Sequence, residues 1–174
     1  MQPLKMLFIH LLSIIAISLS ANSYADEQPL AKLMSASGFI EIPLEKNAFG
    51  HYIARAKING EDASFLIDSG ATTSIIDTSF IMQQQIQTED SDIRAVGVGG
   101  QQGFMKQAHL QEASIGEHDM SKTEIKVLDM SHINNVYANN DVSPINGIIG
   151  ADYLRAHQTI VDFDSQTLWV KAAQ

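Results

Sequence analysis

An aspartate at the end of an apolar run is the residue of this chain best suited to chemistry. The apolar residues 65–67 lead into Asp68, and Ser69 and Gly70 follow it as a tight turn. A half-buried carboxylate at a strand end must accept hydrogen bonds or become protonated. A glycine next to it lets backbone N–H groups approach without interference from a Cβ. The segment therefore indicates a catalytic carboxylate, although Asp-Ser-Gly alone is also a common turn tripeptide.

The segment that positions this aspartate is predicted to be a β-hairpin. Residues 51–58 and 61–68 have the composition of strands and flank the dipeptide Asn59-Gly60. Asn-Gly is the strongest short-range signal for a two-residue hairpin turn. The second arm of the hairpin ends at Asp68.

The rest of the chain is also predicted to be mainly strands. Further strand-like runs cover residues 38–44, 74–76, 93–98, 104–115, 120–128, 145–149, 159–163 and 167–171. Short helical turns are expected in 78–86 and from Gly150 to His157. Many short strands separated by turn signals are typical of a β-rich barrel or sandwich. The fold class is therefore predicted to be mainly β, with Trp169 on the last strand as a core residue.

Two segments lack a strand pattern. Residues 26–37 are mixed and polar, and they are predicted to be a flexible lead-in to one domain spanning 38–174. Residues 129–146 contain Asn-Asn pairs and Ser143-Pro144, which are turn signals. We predict a long loop there, which is either functional or mobile.

The first residues have the pattern of a signal peptide. Lys5 precedes the apolar run 7–19, and Ser23 and Ala25 place small residues at the −3 and −1 positions of a cleavage site. We therefore expect residues 1–25 to be removed and the protein to be exported, either to a periplasm or to the outside. A retained anchor is the alternative, but the run is short for a membrane span.

Length, charge and cysteine content exclude several classes of function. Removing 25 of the 174 residues leaves 149, a usual size for one domain with one core. The formal net charge of −9 disfavours nucleic acids and anionic membranes as partners. The chain has no cysteine, so it has no disulfide, thiol nucleophile or cysteine-ligated zinc.

Other catalytic and cofactor motifs are weak. Gly97-x-Gly99 does not continue as a dinucleotide fingerprint, because the third glycine would fall on Gln102. His109 and Glu112 do not form the H-E-x-x-H zinc pattern, and no G-x-S-x-G elbow is present. We expect neither a cofactor nor a metal ion.

Four features in this order resemble a retropepsin-type aspartic protease. They are the hairpin that ends in Asp68, a glycine-rich tip about 30 residues later, an apolar-apolar-Gly stretch before a short helix, and a closing strand pair. The resemblance covers roughly residues 50–171. It implies a single-domain retropepsin-like acid protease β-barrel with one short C-terminal helix.

The resemblance also implies roles for individual residues. Asp68 would be the catalytic aspartate, Ser69 would brace the active-site turn across a subunit interface, and Gly70 would donate its N–H to the carboxylate. Ala71 and Thr72 would continue this turn. The flap over the substrate would comprise Gly97, Val98, Gly99 and Gly100. The stretch packed behind the turn would comprise Ile148, Ile149 and Gly150, and the segment 129–146 would be an insertion relative to compact viral members.

One aspartate motif implies two chains. In this chemistry two carboxylates share one proton, so that one activates water while the other donates to the scissile carbonyl. The chain contains no second Asp-Ser/Thr-Gly, and a symmetric homodimer supplies the missing acid. We therefore expect an exported aspartic endopeptidase acting on peptide or protein substrates. A non-catalytic peptide-binding module and a hydrolase of an unusual amide are the alternatives.

Overall fold

The computed structural model describes residues 28–96, 102–121 and 123–172. The described strands are β1 Phe39–Lys46, β2 Tyr52–Ile58, β3 Glu61–Ile67, β4 Ile75–Asp77, β5 Thr88–Val96, β6 Gln102–His109, β7 Ala113–Ile115, β8 His118–Asp119, β9 Glu124–Leu128, β10 Gly147–Ile149, β11 Ile160–Asp162 and β12 Thr167–Lys171. The described helices are α1 Gln28–Ala36, α2 Thr78–Gln83, α3 Ser131–Ala138 and α4 Ala151–Ala156. Strands dominate, which confirms the predicted mainly β class.

The strands follow one continuous path of pairing. Its order is β11-β12-β1-β2-β3-β10-β4-β9-β6-β5, with β7 beside β2 and β8 beside β7. Most neighbours are antiparallel, but β3–β10 and β4–β9 are parallel. The late strand β10 therefore lies between two early strands, next to the chain segment that carries Asp68.

The predicted Asn-Gly hairpin is present. Ile58 pairs with Glu61, and Asn59 and Gly60 connect them with φ angles of 53° and 84°. Positive φ at both central residues is the geometry of a type I′ turn, which matches the twist of the flanking strands. The closing hairpin β11–β12 is also confirmed, and Trp169 is buried in it.

Two clusters of buried apolar residues hold the strands together. The larger cluster includes Phe65, Ile76, Ile115, Ile125 and Leu168, each fully buried. The second cluster consists of Ile53, Met130, Tyr137, Val142, Ile145 and Ile148, with Leu66, Ala71, Ile75 and Ile133 packed against it. Ala71 belongs to the turn after Asp68, so the second cluster supports the candidate site directly.

The prediction of a loop over 129–146 was wrong for its first half, because α3 occupies Ser131–Ala138. Met130, Ile133 and Tyr137 are spaced to lie on one helix face and pack in the second cluster. The Asn residues that indicated turns have another role here. Asn134 on α3 exchanges two side-chain hydrogen bonds with the backbone of Ile145, each 3.0 Å long.

Other predicted boundaries also need correction. Helix α1 lies in the segment predicted to be a flexible lead-in. The predicted strand 104–115 is interrupted between β6 and β7, and the predicted strand 120–128 begins only at Glu124. By its contacts the chain divides into a unit Met1–Leu33 and a unit Met34–Gln174, and the described strands belong to the second unit. Among the described residues, no helix has the length and apolar character needed to cross a membrane.

Candidate active site

Asp68 lies directly after β3, at a position fixed by strands on both sides. Leu66 pairs with Ile53 of β2 and with Ile148 of β10. The Asp68 N–H then donates to the carbonyl oxygen of Ile149 at 3.0 Å. The backbone of the aspartate is therefore held by the sheet, while its side chain is half-buried.

The turn after Asp68 holds its carboxylate. The Gly70 N–H donates to Asp68 Oδ1 at 2.9 Å, and the Ala71 N–H donates to the Asp68 carbonyl at 3.1 Å. A Cβ at Gly70 would lie 3.1 Å from Asp68 Oδ1, so a larger residue would have to displace the carboxylate by a few tenths of an ångström. Ser69, Gly70 and Thr72 are exposed. The carboxylate is thus positioned at an open surface, where a substrate or a second chain can reach it.

A partly buried hydrogen-bond network, which the sequence analysis missed, ties this turn to α4. The Ser74 N–H donates to both oxygens of Asp152 at 2.9 Å, and Ser74 Oγ donates to Asp152 Oδ1 at 2.6 Å. Ser74 Oγ in turn accepts the Gly150 N–H at 2.9 Å. The Ala151 N–H donates to the Ala71 carbonyl at 2.7 Å. We call Ser74, Asp152 and Gly150 the turn clamp.

The stretch Ile148, Ile149 and Gly150 lies beside β3 and the turn that follows it. A Cβ at Gly150 would lie 2.8 to 2.9 Å from backbone atoms of Ala71 and Thr73. A Cβ at Gly147 would lie 2.3 Å from the Phe65 ring. Gly150 therefore allows the end of β10 to approach the turn closely, and Gly147 allows β10 to pack closely against Phe65 of β3.

A second aspartate, Asp77, is buried at the end of β4 but has a structural role. Its Oδ1 accepts the Met130 N–H at 2.9 Å, and its Oδ2 accepts the Ser79 hydroxyl. The Asp77 N–H donates to the Asn146 carbonyl at 2.7 Å. Oδ1 therefore anchors the chain before α3, and Oδ2 binds Ser79 of α2. Because both carboxylate oxygens are occupied, Asp77 is not available as a second acid for Asp68.

The arms of the glycine-rich hairpin are present. Strands β5 and β6 pair from Thr88 and Ala108 to Val96 and Gln102. The predicted flap residues Gly97, Val98, Gly99 and Gly100 lie outside the described residues. In the described ranges, no three His, Asp or Glu side chains are placed to hold a metal ion together.

The sheet order, the Asp-Ser-Gly turn held by the turn clamp and the β5–β6 hairpin are together what is expected of an aspartic protease. The family model for aspartyl proteases matches residues 54–153, more than half of the chain. The chain belongs to this family. None of the curated proteins compared with the chain matches it.

The chain is similar to several solved structures. A retropepsin-like aspartic protease from Rickettsia conorii is similar with a TM-score of 0.51 and 16% sequence identity, over 78% of this chain and 91% of that one. The retroviral protease-like domain of Ddi1 from Leishmania major has a TM-score of 0.45 and 19% identity, over 70% and 93%. The EIAV protease complexed with the inhibitor HBY-793 has a TM-score of 0.41 and 21% identity, over 60% and 85%. The similarity to the Rickettsia conorii structure shows that the fold is retropepsin-like, as the resemblance implied.

Proposed function

We propose that the protein is an exported aspartic endopeptidase in which the Asp68 residues of two identical chains activate one water molecule. The observation that supports this proposal best is the geometry of Asp68. Its backbone is held by β10, its Oδ1 accepts the Gly70 N–H, and its turn is exposed. Such a carboxylate is fixed in place and remains accessible, as a catalytic acid must be.

The reaction needs one carboxylate in each protonation state. The ionised Asp68 takes a proton from water as the water oxygen attacks the scissile carbonyl carbon. The protonated Asp68 of the second chain donates its proton to the carbonyl oxygen, which gives a neutral gem-diol. Collapse of this intermediate breaks the C–N bond, and the proton taken from water passes to the leaving amine nitrogen. As the C=O bond of the new carboxylic acid forms, the now ionised Asp68 of the second chain takes a proton from one gem-diol hydroxyl, which restores the shared-proton pair. Two carboxylates close together share a proton because they cannot both ionise easily.

The second carboxylate is proposed to come from a homodimer. Asp68 is the one aspartate in an Asp-Ser-Gly context in the sequence, and both oxygens of Asp77 are engaged elsewhere. A two-fold axis beside the exposed turn would bring two copies of Asp68 together with an isologous interface. Ser69, exposed in the same turn, would then lie at the interface and brace the partner's turn.

The surface near Asp68 favours apolar substrate side chains. Leu66 precedes the aspartate by two residues and Ala71 follows it by three, and both are partly exposed members of the second apolar cluster. An extended peptide would cross this surface beneath the β5–β6 hairpin, since strand-like binding uses alternate side-chain pockets. We therefore propose a preference for apolar residues next to the cleaved bond.

The test is a peptide-library digest with the mature protein and its Asp68→Asn variant. The substitution is nearly isosteric but removes the shared proton, so cleavage should fall by several orders of magnitude while the fold survives. Asp62→Asn is the matched control, because Asp62 is an exposed aspartate on β3 that pairs with the exposed Lys57. Cleavage by Asp68→Asn at the rate of Asp62→Asn would refute the assignment. Binding of peptides without cleavage by the unmodified protein would favour a peptide-binding module.

A further inference from the structure

The sheet face that carries Asp68 continues well beyond its turn. Leu66 lies two residues before Asp68, whose N–H continues the pairing with β10, so the two side chains leave the sheet on the same face. One row of register partners crosses this face from β2 to β5. In order, its members are Ile53, Leu66, Ile148, Ile75, Lys126, Gln107 and Glu89. The row therefore connects the neighbour of Asp68 with the base of the β5–β6 hairpin.

The row changes from apolar to polar at Lys126. Its members on β2, β3, β10 and β4 belong to the second apolar cluster or pack against it. Lys126 and Gln107 follow them, and they are only 7% and 9% exposed. A buried ion pair is often no more stabilising than apolar side chains of similar volume. Stability therefore does not require a lysine beside Ile75, and its charge indicates another role.

The Lys126 ammonium is fixed by two acceptors. Its Nζ donates to Gln107 Oε1 and to Glu124 Oε1, each at 2.5 Å. Gln107 Nε2 donates to Glu89 Oε1 at 3.0 Å, which keeps the amide oxygen of Gln107 turned towards Lys126. An ammonium has three N–H groups, and the described residues supply acceptors for two of them. The third N–H can therefore donate to a bound molecule.

We propose that Lys126 and Glu124 select substrates that carry a carboxamide side chain, glutamine or asparagine. The carboxamide oxygen accepts the third N–H of Lys126, and the carboxamide NH₂ donates to Glu124, whose side chain is 47% exposed. The two residues form an ion pair without net charge, so a neutral group that both donates and accepts fits better than an acidic or a basic one. This inference rests on the proposed function and adds a substrate class to it.

The position of Lys126 in the row determines which substrate residue it reads. Three strand spacings of about 4.8 Å separate Leu66 from Lys126, roughly 14 Å along the sheet. An extended peptide covers this distance with about four residues, since it rises about 3.3 Å per residue. We therefore expect the carboxamide preference two to four residues from the cleaved bond. The apolar preference applies to the residues next to that bond.

The experiment measures peptide binding to the Asp68→Asn variant of the mature protein by fluorescence anisotropy at pH 6. The probes are peptides with leucine on both sides of the central bond. A single varied residue, glutamine, glutamate, norleucine or lysine, is placed two, three or four positions away on either side. At one of these positions we expect glutamine to bind about tenfold more tightly than norleucine, the factor of one hydrogen bond to a charged group. Glutamate and lysine should also bind more weakly than glutamine.

The outcomes separate this inference from the proposed function. Equal binding of the four peptides at every position would overturn the inference, while cleavage of the same peptides by the unmodified protein would leave the proposed function intact. Binding without cleavage would refute the proposed function, and the glutamine preference would still be measured. Absence of binding by any peptide would overturn the inference.

Lys126→Met removes the ammonium and keeps the length of the side chain, so glutamine and norleucine should then bind equally. Lys106→Met is the matched control. Lys106 is exposed, pairs with Asp90 and has Val127 as its register partner, which packs against the larger cluster on the opposite face. The glutamine preference should survive in this control, and its loss there would overturn the inference.

Glu124→Gln tests the role of the ion pair without removing Lys126. The ammonium then has no counter-charge, so the preference should move from glutamine to glutamate by about tenfold. A lysine that only holds β9 to β6 would produce no such change of preference. An unchanged glutamine preference in both Lys126→Met and Glu124→Gln would overturn the inference.

Discussion

The turn clamp allows a quantitative prediction for Ser74→Ala. Ser74 is 2% exposed, and its hydroxyl both donates to Asp152 at 2.6 Å and accepts from the Gly150 N–H at 2.9 Å. The substitution removes one charge-assisted hydrogen bond and leaves a backbone N–H without a partner in a place that is closed to solvent. Its effect should therefore exceed that of an ordinary serine substitution.

The magnitude follows from these two contacts. A hydrogen bond to a charged group contributes about 1.5–3 kcal/mol, and an unpaired buried N–H costs roughly 1–3 kcal/mol. The Asp152 side chain is exposed, and water can replace part of the lost contact. The Ser74 N–H also keeps its own bond to Asp152. We therefore expect the free energy of unfolding to fall by about 2–4 kcal/mol.

Urea unfolding followed by circular dichroism measures this change. Ser143→Ala is the matched control, because Ser143 is exposed and should change the free energy of unfolding by less than about 0.5 kcal/mol. A double-mutant cycle with Asp152→Asn should give a coupling of about 0.5–3 kcal/mol, since the two residues are in direct contact. A loss below about 1 kcal/mol for Ser74→Ala, or no coupling, would show that the clamp does not hold the turn as the distances indicate.

Four further predictions concern the backbone, the chemistry, the flap and the acid stability. Gly150→Ala should destabilise the protein more than Ser74→Ala, because its Cβ would meet backbone atoms at 2.8 Å; equal or smaller loss in urea unfolding would contradict this. Cleavage of an uncharged peptide should follow a bell-shaped pH profile with an optimum at about pH 4 to 6, because the shared-proton pair needs one acid and one base; a rate that still rises through pH 8 would exclude the pair. Replacing Gly99 and Gly100 by Val should slow turnover more than it lowers the melting temperature, since a flap needs backbone freedom; equal damage would indicate a purely structural turn. Burial lowers the pKa of His118 below its ordinary value of 6.5, so on acidification the unfolded chain binds a proton before the native protein does. Stability should therefore fall as pH drops below about 6.5, and it should fall less in His118→Phe; an unchanged slope of unfolding free energy against pH would refute this.

Local signals in the sequence were sufficient to predict several elements of the structure. Asn59-Gly60 predicted the hairpin correctly, because both residues tolerate the positive φ that a two-residue turn requires. The apolar run before Asp68 predicted a strand that ends at the carboxylate. The helix after Gly150 was also predicted, since α4 begins at the next residue. Each of these features depends on neighbouring residues only.

Long-range contacts account for what the sequence did not show. Ser74 and Asp152 are 78 positions apart, and nothing in either local segment indicates that they meet. Helix α3 was missed because its asparagines are typical of turns, while the contacts that favour the helix come from Ile145 and the second apolar cluster.

The sequence by itself determined the mainly β class and the aspartate at a strand end, since strand periodicity and turn chemistry are local properties of the chain. The resemblance added the retropepsin-like family, and the family model confirmed it. Only the tertiary structure decided how the Asp68 turn is held: β10 inserts between β3 and β4, Gly150 approaches Ala71, and Asp152 reaches Ser74. The reason is that the parallel pairing of β3 with β10 and the partly buried hydrogen bonds of the turn clamp join segments that are distant in the sequence. These contacts stabilise the protein only after the segments have packed together.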